Sequence, residues 1–87
     1  MITKVHEKVR VIAVFFEDAR SPCPLRMRWA KHDYELGPVD FTHTTKDGHF
    51  FVWHFSLCDK DESMFFKLTL QSETLVWTLE EYEDTAR

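Results

Sequence analysis

Cys23, His43, His49, His54 and Cys58 carry the donor atoms that metal binding or nucleophilic chemistry needs. Their spacing argues against both uses. In an extended strand His54 and Cys58 share a face but lie about 13 Å apart at roughly 3.3 Å per residue, too far for one ion or for a base to reach its nucleophile. Ser56 falls between them without closing that gap. The sequence has no Cys-x-x-Cys or His-x-x-x-His pair, no nucleophile elbow and no phosphate loop. Glu80 and Glu81, adjacent carboxylates, point to opposite faces of a strand and do not make an acid/base pair. The residues therefore name no catalytic group, no metal and no cofactor, and the expectation is a protein that is not an enzyme.

Binding chemistry is the next class to weigh. Arg26, Arg28, Lys31 and Lys67, taken with outward-facing Phe50 and Phe65, have the types that meet phosphates and stack on bases. Against this stands the net charge of −4, from eleven Lys and Arg against fifteen Asp and Glu, which disfavours a general attraction to nucleic acid or anionic membranes. The charge is uneven. Arg20, Arg26, Arg28 and Lys31 face only Asp33 between residues 20 and 34, whereas Glu80, Glu81, Glu83 and Asp84 outnumber Arg87 at the other end. An alternating charged row also has a plainer use, pairing across strands and protecting an edge.

These side chains need a scaffold, and the pattern that would position them is β. At 87 residues with only two Gly and three Pro, the chain suits one folded domain over residues 1–87. A strand is expected over Val9–Phe16, buried on both faces because Ile12, Val14 and Phe16 are apolar on the parity of Lys8 and Arg10. Pro22 and Pro24 then break the ladder. Leu25, Met27 and Trp29 alternate inward against outward Arg26 and Arg28. A turn at Lys31-His32 sets Trp29 against Tyr34, Met27 against Leu36 and Arg28 against Glu35. Gly37-Pro38 marks a bend or bulge, after which Val39 and Phe41 take the inward parity.

The stretch TKDGH, with Gly48 in the left-handed region, predicts a three-residue hairpin loop that pairs His43 with Phe51, Phe41 with Trp53 and Val39 with Phe55. Phe51, Trp53, Phe55 and Leu57 then form the core face, with Met64, Phe66, Leu68 and Leu70 matching Leu57, Phe55, Trp53 and Phe51 across the next hairpin. A turn at QSET sets Leu70 against Leu75, Leu68 against Trp77 and Phe66 against Leu79. Residues 80–87 tolerate strand or helix. The expected fold is an all-β antiparallel meander of about six strands, curled into a small barrel or half-barrel so that its aromatic face stays dry. The alternative is an α+β sheet covered by a C-terminal helix.

The segment HFFVWHFSLC is rich on both faces, and the same registers place Phe50, Val52, Phe65 and Val76 together outside the core. A patch of this kind calls for cover by the chain itself or by another chain. The candidate binding surface is therefore Phe50, Val52, Phe65 and Val76 with Arg26, Arg28 and Lys67.

The stretches PLRMRWAKHDYELGPV, HFSLCDKDESMFFKLTL and LVWTLEEYED resemble a class of small bacterial all-β proteins of unknown function. The likeness rests on Pro24, Met27, Trp29, Trp77 and Leu79, and departs where the first hairpin turn has Lys31-His32 in place of Gly. It implies a fold and no activity. With no apolar run long enough to span a bilayer and two cysteines expected as reduced thiols, the sequence reads as a cytoplasmic, non-enzymatic accessory or protein-interaction domain, with a protein partner or homodimer. The alternative is a small-barrel nucleic-acid-binding module using Arg26, Arg28, Lys67, Phe50 and Phe65.

Overall fold

The computed structural model describes residues 2–17 and 21–84. Six antiparallel strands follow one another around a closed ring: β1 (Thr3–Val14), β2 (Cys23–Trp29), β3 (His32–Asp47), β4 (Phe50–Asp59), β5 (Met64–Gln71) and β6 (Trp77–Asp84). Each pairs with its neighbour in sequence, and β6 pairs back onto β1 from Thr3↔Tyr82 to Val9↔Trp77. No helix forms among the described residues; Glu80–Asp84 continue the last strand, and residues 85–87 lie outside the described chain. Closure gives every strand a partner on both sides over part of its length and leaves the alternating apolar residues facing inward.

Met27, Leu36, Phe55, Leu57, Phe66, Leu68, Leu70 and Leu79 fill the ring, with Val5, Val9, Val11, Trp29, Tyr34, Trp53, Trp77 and Tyr82 packed around them. Trp29 meets Tyr82 at 4.9 Å between ring centroids, Tyr34 meets Phe66 edge-on at 5.1 Å, and Phe55 meets Trp77 at 5.5 Å. All five residues carrying the family resemblance are in this interior or packed on it.

Turns set the registers, and here the structure departs from the sequence reading. The β2–β3 turn is Ala30-Lys31, both at positive φ (53° and 66°), the combination a two-residue type I′ hairpin requires. Trp29 therefore pairs with His32 and Met27 with Tyr34, not with Tyr34 and Leu36. Arg28 lies opposite Asp33, and Glu35 goes to Arg26. The β4–β5 and β5–β6 registers also move by two residues, to Leu57↔Phe66, Phe55↔Leu68, Leu70↔Trp77 and Leu68↔Leu79. A two-residue slip keeps every side chain on its face.

The β3–β4 hairpin differs in kind. Its loop is Gly48-His49, with Gly48 at φ 63° in the first central position as a type II′ turn requires, and Asp47 pairs with Phe50. The ladder shifts at Gly37-Pro38, as expected, and a second time at Asp40. The second bulge turns Phe41 out, where it is 60% exposed, and puts Thr42 opposite Phe55 and Thr44 opposite Trp53. Phe41 is thus no core residue. Phe51, beyond the closed part of the ring, is also exposed.

Two further corrections concern the first strands. β1 begins at Thr3 rather than Val9 and is buried on one face only, since Ile12 is outward. In β2 the ladder gains a residue between Arg26↔Ile12 and Pro24↔Ala13. That bulge turns Leu25 outward and lets buried Pro24 take the inward place.

The β4–β5 loop is organised by Asp59, a buried carboxylate. Its Oδ1 accepts from the backbone N–H of Ser63 (2.8 Å) and Met64 (3.2 Å), and its Oδ2 from the Ser63 hydroxyl (2.9 Å). Lys60 N–H donates to the Glu35 carbonyl at 2.8 Å, tying the loop to β3.

Candidate interaction surface

The bulge in β2 and the outward parity of β1 have a joint result. Leu25 and Arg26 both lie opposite Ile12, and Phe15 and Phe16 follow directly after β1. Ile12 is 61% exposed, Phe15 64%, Phe16 57% and Leu25 44%. Large apolar side chains held this open at neighbouring positions mark a contact surface more often than scattered ones do.

Cations flank this row. Arg10 lies directly opposite Arg28, a like-charge pair that weakens a sheet. Asp33 relieves Arg28, its two oxygens accepting at 3.1 and 3.2 Å. Arg10, Lys8 and Lys31 make no ion pair among the described residues. Together with Arg28 these three line a depression of about 520 Å³ at the β1–β2 end, floored by Val9 and Trp29. Trp29 Nε1–H donates to Glu7 at 3.3 Å there. Arg26 reaches Glu35 at 2.9 Å, and this guanidinium, with Lys60 nearby, holds the Glu35 carboxyl below the usual carboxylate range.

The other side of the ring carries a groove of about 700 Å³ along β3 to β6, lined in part by Phe41, His43, His54, Lys67 and Glu80. His43 and His54 stack, centroids 4.3 Å apart and planes within 4°. The Thr45 hydroxyl lies 2.8 Å from His54 Nε2. Thr69 donates to Glu80 Oε2 at 2.9 Å, and His6 Nδ1 sits 2.6 Å from Glu80 Oε1. Burial lowers the His54 pKa, as does the neighbouring His43; Glu80 opposes the fall and Lys67 adds to it. Parallel stacking directs the in-plane nitrogen lone pairs of the two imidazoles side by side, not toward a common point. No group of three His, Cys, Asp or Glu side chains able to hold a metal occurs among the described residues.

The expected surface is not assembled as one. Val52 and Val76 line the same depression near His6 and Thr69. Val52 pairs with Gln71, and it is His54 that pairs with Thr69. Phe65 lies opposite Cys58 and Glu83, six residues along β5 from Gln71 and hence about 20 Å away at 3.3 Å per residue. Phe50 sits at the tip of the β3–β4 ribbon. Lys67, on the far side of the ring from Arg26 and Arg28, pairs with Glu81 at 3.8 Å. Arg26 and Arg28 alone of that set belong to the face with Ile12 and Leu25. Sequence reasoning missed Ile12, Phe15, Phe16 and Leu25 because apolar residues on strand parity read as core.

Cys23 and Cys58 are free thiols. The Cys58 thiol is pushed up, first by burial and then by Asp40, Glu62 and Asp59, so the thiolate that a nucleophile needs is disfavoured. His54, its imagined base, is engaged with Thr45.

Comparison with family models, curated proteins and solved structures finds no match to this chain. No helix among the described residues is long and apolar enough to cross a membrane.

Proposed function

We propose that this chain is a non-enzymatic interaction domain that holds a protein partner on the outer face of β1 and β2. The observation that carries the reading is the exposed apolar group of Ile12, Phe15, Phe16 and Leu25, bordered by Arg10 and Arg26. An apolar centre with a charged rim is the usual anatomy of a protein contact, with Arg enriched and aromatic residues as anchors. The unrelieved Arg10 and the like-charged pair it makes with Arg28 favour a partner surface that is acidic around an apolar anchor. An accessory role in a bacterial cytoplasm, with Cys23 and Cys58 reduced, completes the proposal.

The test is affinity capture from the native cell with the wild type and an Ile12→Ser/Leu25→Ser variant. A protein retained by the first and lost by the second, at unchanged melting temperature, supports the reading. An identical captured set for both counts against it.

A second reading draws on Lys8, Arg10, Arg28 and Lys31 around one depression, with Phe15 and Phe16 directly after β1. Those types suit single-stranded nucleic acid, phosphates meeting cations and bases stacking on rings. Binding of a labelled oligothymidylate that weakens steeply with salt and is lost in Arg10→Glu favours it; no binding at low salt removes it.

A further inference from the structure

β3 is longer than the ring that contains it. It spans His32–Asp47, yet only His32–Glu35 pair with β2. From Leu36 onward β3 pairs with β4 alone among the described residues. Every residue from Phe41 to Asp47 is exposed. The outer edge of β3 is therefore open over this length, the condition under which a further strand adds.

The backbone groups facing that edge can be identified. Phe51 N–H donates to Ser72 Oγ at 2.9 Å, and the Phe51 carbonyl accepts from Ser72 N–H at 2.8 Å. The Phe51 backbone thus points away from β3, and Lys46↔Phe51 is a pair without mutual hydrogen bonds. The ladder is regular from Phe41 to Asp47. By alternation Thr42, Thr44 and Lys46 aim their N–H and C=O groups at the open edge, while His43 and Thr45 turn theirs toward β4.

We propose that the occupant is a second copy of this chain, its β3 antiparallel to the first across a two-fold axis at Thr45. Donor–acceptor complementarity between imidazole and carboxylate selects both occupant and register. In this register His43 lies opposite Asp47 of the second copy, and Asp47 lies opposite its His43. Neither side chain makes an ion pair within the chain among the described residues. Thr45 meets Thr45. Thr44 and Lys46 then exchange backbone hydrogen bonds reciprocally, the two positions whose donors and acceptors face outward. A two-fold axis at His43 would stack imidazole on imidazole, and one at Thr44 would set Phe41 against Asp47. Lys46, the residue type that blunts edges, meets Thr44 here and no other cation. The Asp40 bulge and the Gly48 turn end the pairing on either side, so the contact is short and falls in the small, reversible class of interfaces.

Cysteine cross-linking tests the register and sedimentation tests the association. In a Cys23→Ser/Cys58→Ser background, Thr45→Cys places two thiols on the axis in a pair without mutual hydrogen bonds, where Cα atoms approach to about 4.5 Å. Thr44→Cys puts them on the other face and out of line. The expected results are a concentration-dependent dimer of the wild type, disulfide formation about tenfold faster for Thr45→Cys than for Thr44→Cys, and a monomer for Asp47→Arg with an unchanged circular dichroism spectrum. His43→Asp/Asp47→Arg sets an acid opposite a base at the same positions and restores the dimer. A wild type monomeric at every concentration, equal cross-linking of the two cysteine variants, or a dimer undisturbed by Asp47→Arg overturns the proposal.

Discussion

The outward faces of the two halves of the ring are built from the same alternating strands and differ in how their polar groups are satisfied. Over β4, β5 and β6 the outward positions include Thr69, Glu80, His54 and Lys67, and their polar groups are tied to His6, Thr45 and Glu81. Over β1 and β2 the outward positions are Ile12 and Leu25 among arginines, and Arg10 confronts Arg28. The polar half demonstrates that this fold readily accommodates satisfied polar groups outside. Apolar bulk and opposed cations on the other half are then not demanded by the strands, which is why that half is the contact surface proposed.

The comparison can be broken first at what the halves share. Phe66 is fully buried on β5 and touches Tyr34 across the ring, so Phe66→Ala is expected to cost about 3–5 kcal/mol in denaturant unfolding and loosen both faces together. A smaller effect follows at the β4–β5 loop. Asp59→Ala leaves two backbone donors and the Ser63 hydroxyl without their acceptor, with an expected loss of about 1–3 kcal/mol by thermal or chemical melting.

The polar half has a pH signature of its own. Burial and His43 hold the folded pKa of His54 below its ordinary value of 6.5, so the unfolded chain binds that proton more readily than the folded one. The stability this group contributes is fully present above pH 6.5 and is lost as pH falls through the lowered folded value. Melting temperature should decline across that window, and His54→Gln should flatten the decline. On the other half, Ile12→Ser is expected to shift stability by no more than about 0.5 kcal/mol, because the side chain is already largely in water; a larger loss would place Ile12 in the fold and take it out of the contact surface.

What was legible in the sequence was the parity of side chains. Met27, Trp29, Phe55, Leu57, Phe66, Leu68, Leu70, Trp77 and Leu79 face inward as their alternation requires, even though three hairpins are displaced by two residues. Alternation constrains register only modulo two, and the turn chooses among the remaining options. The β2–β3 turn was hidden because Ala30 and Lys31 adopt positive φ without being Gly, Asn or Asp. At β3–β4 the Gly-x signature of a two-residue loop was in the sequence at Gly48-His49, but the hydrophobicity of Phe41 argued for the other loop. The Asp40 bulge decides the matter, and nothing in its local composition announces it. The candidate surface depended on the β4–β5 and β5–β6 registers: the two slips leave Val52 and Val76 together beside Gln71, while the first carries Phe65 two residues further from Val52.

The seam between β1 and β6 joins residues from opposite ends of the described chain, whereas every other pairing joins neighbours through a short connection. Contacts between distant residues carry the greater loop-closure entropy, and two-state proteins rich in them fold slowly. The hairpins are therefore expected to form early and the ring to close late, with unfolding starting by its reopening. Val9, paired with Trp77 in the seam and packed on the core, reports on this: Val9→Ala should speed unfolding and leave the folding rate nearly unchanged in stopped-flow measurements. The lifetime of the folded state would then be governed by one latch.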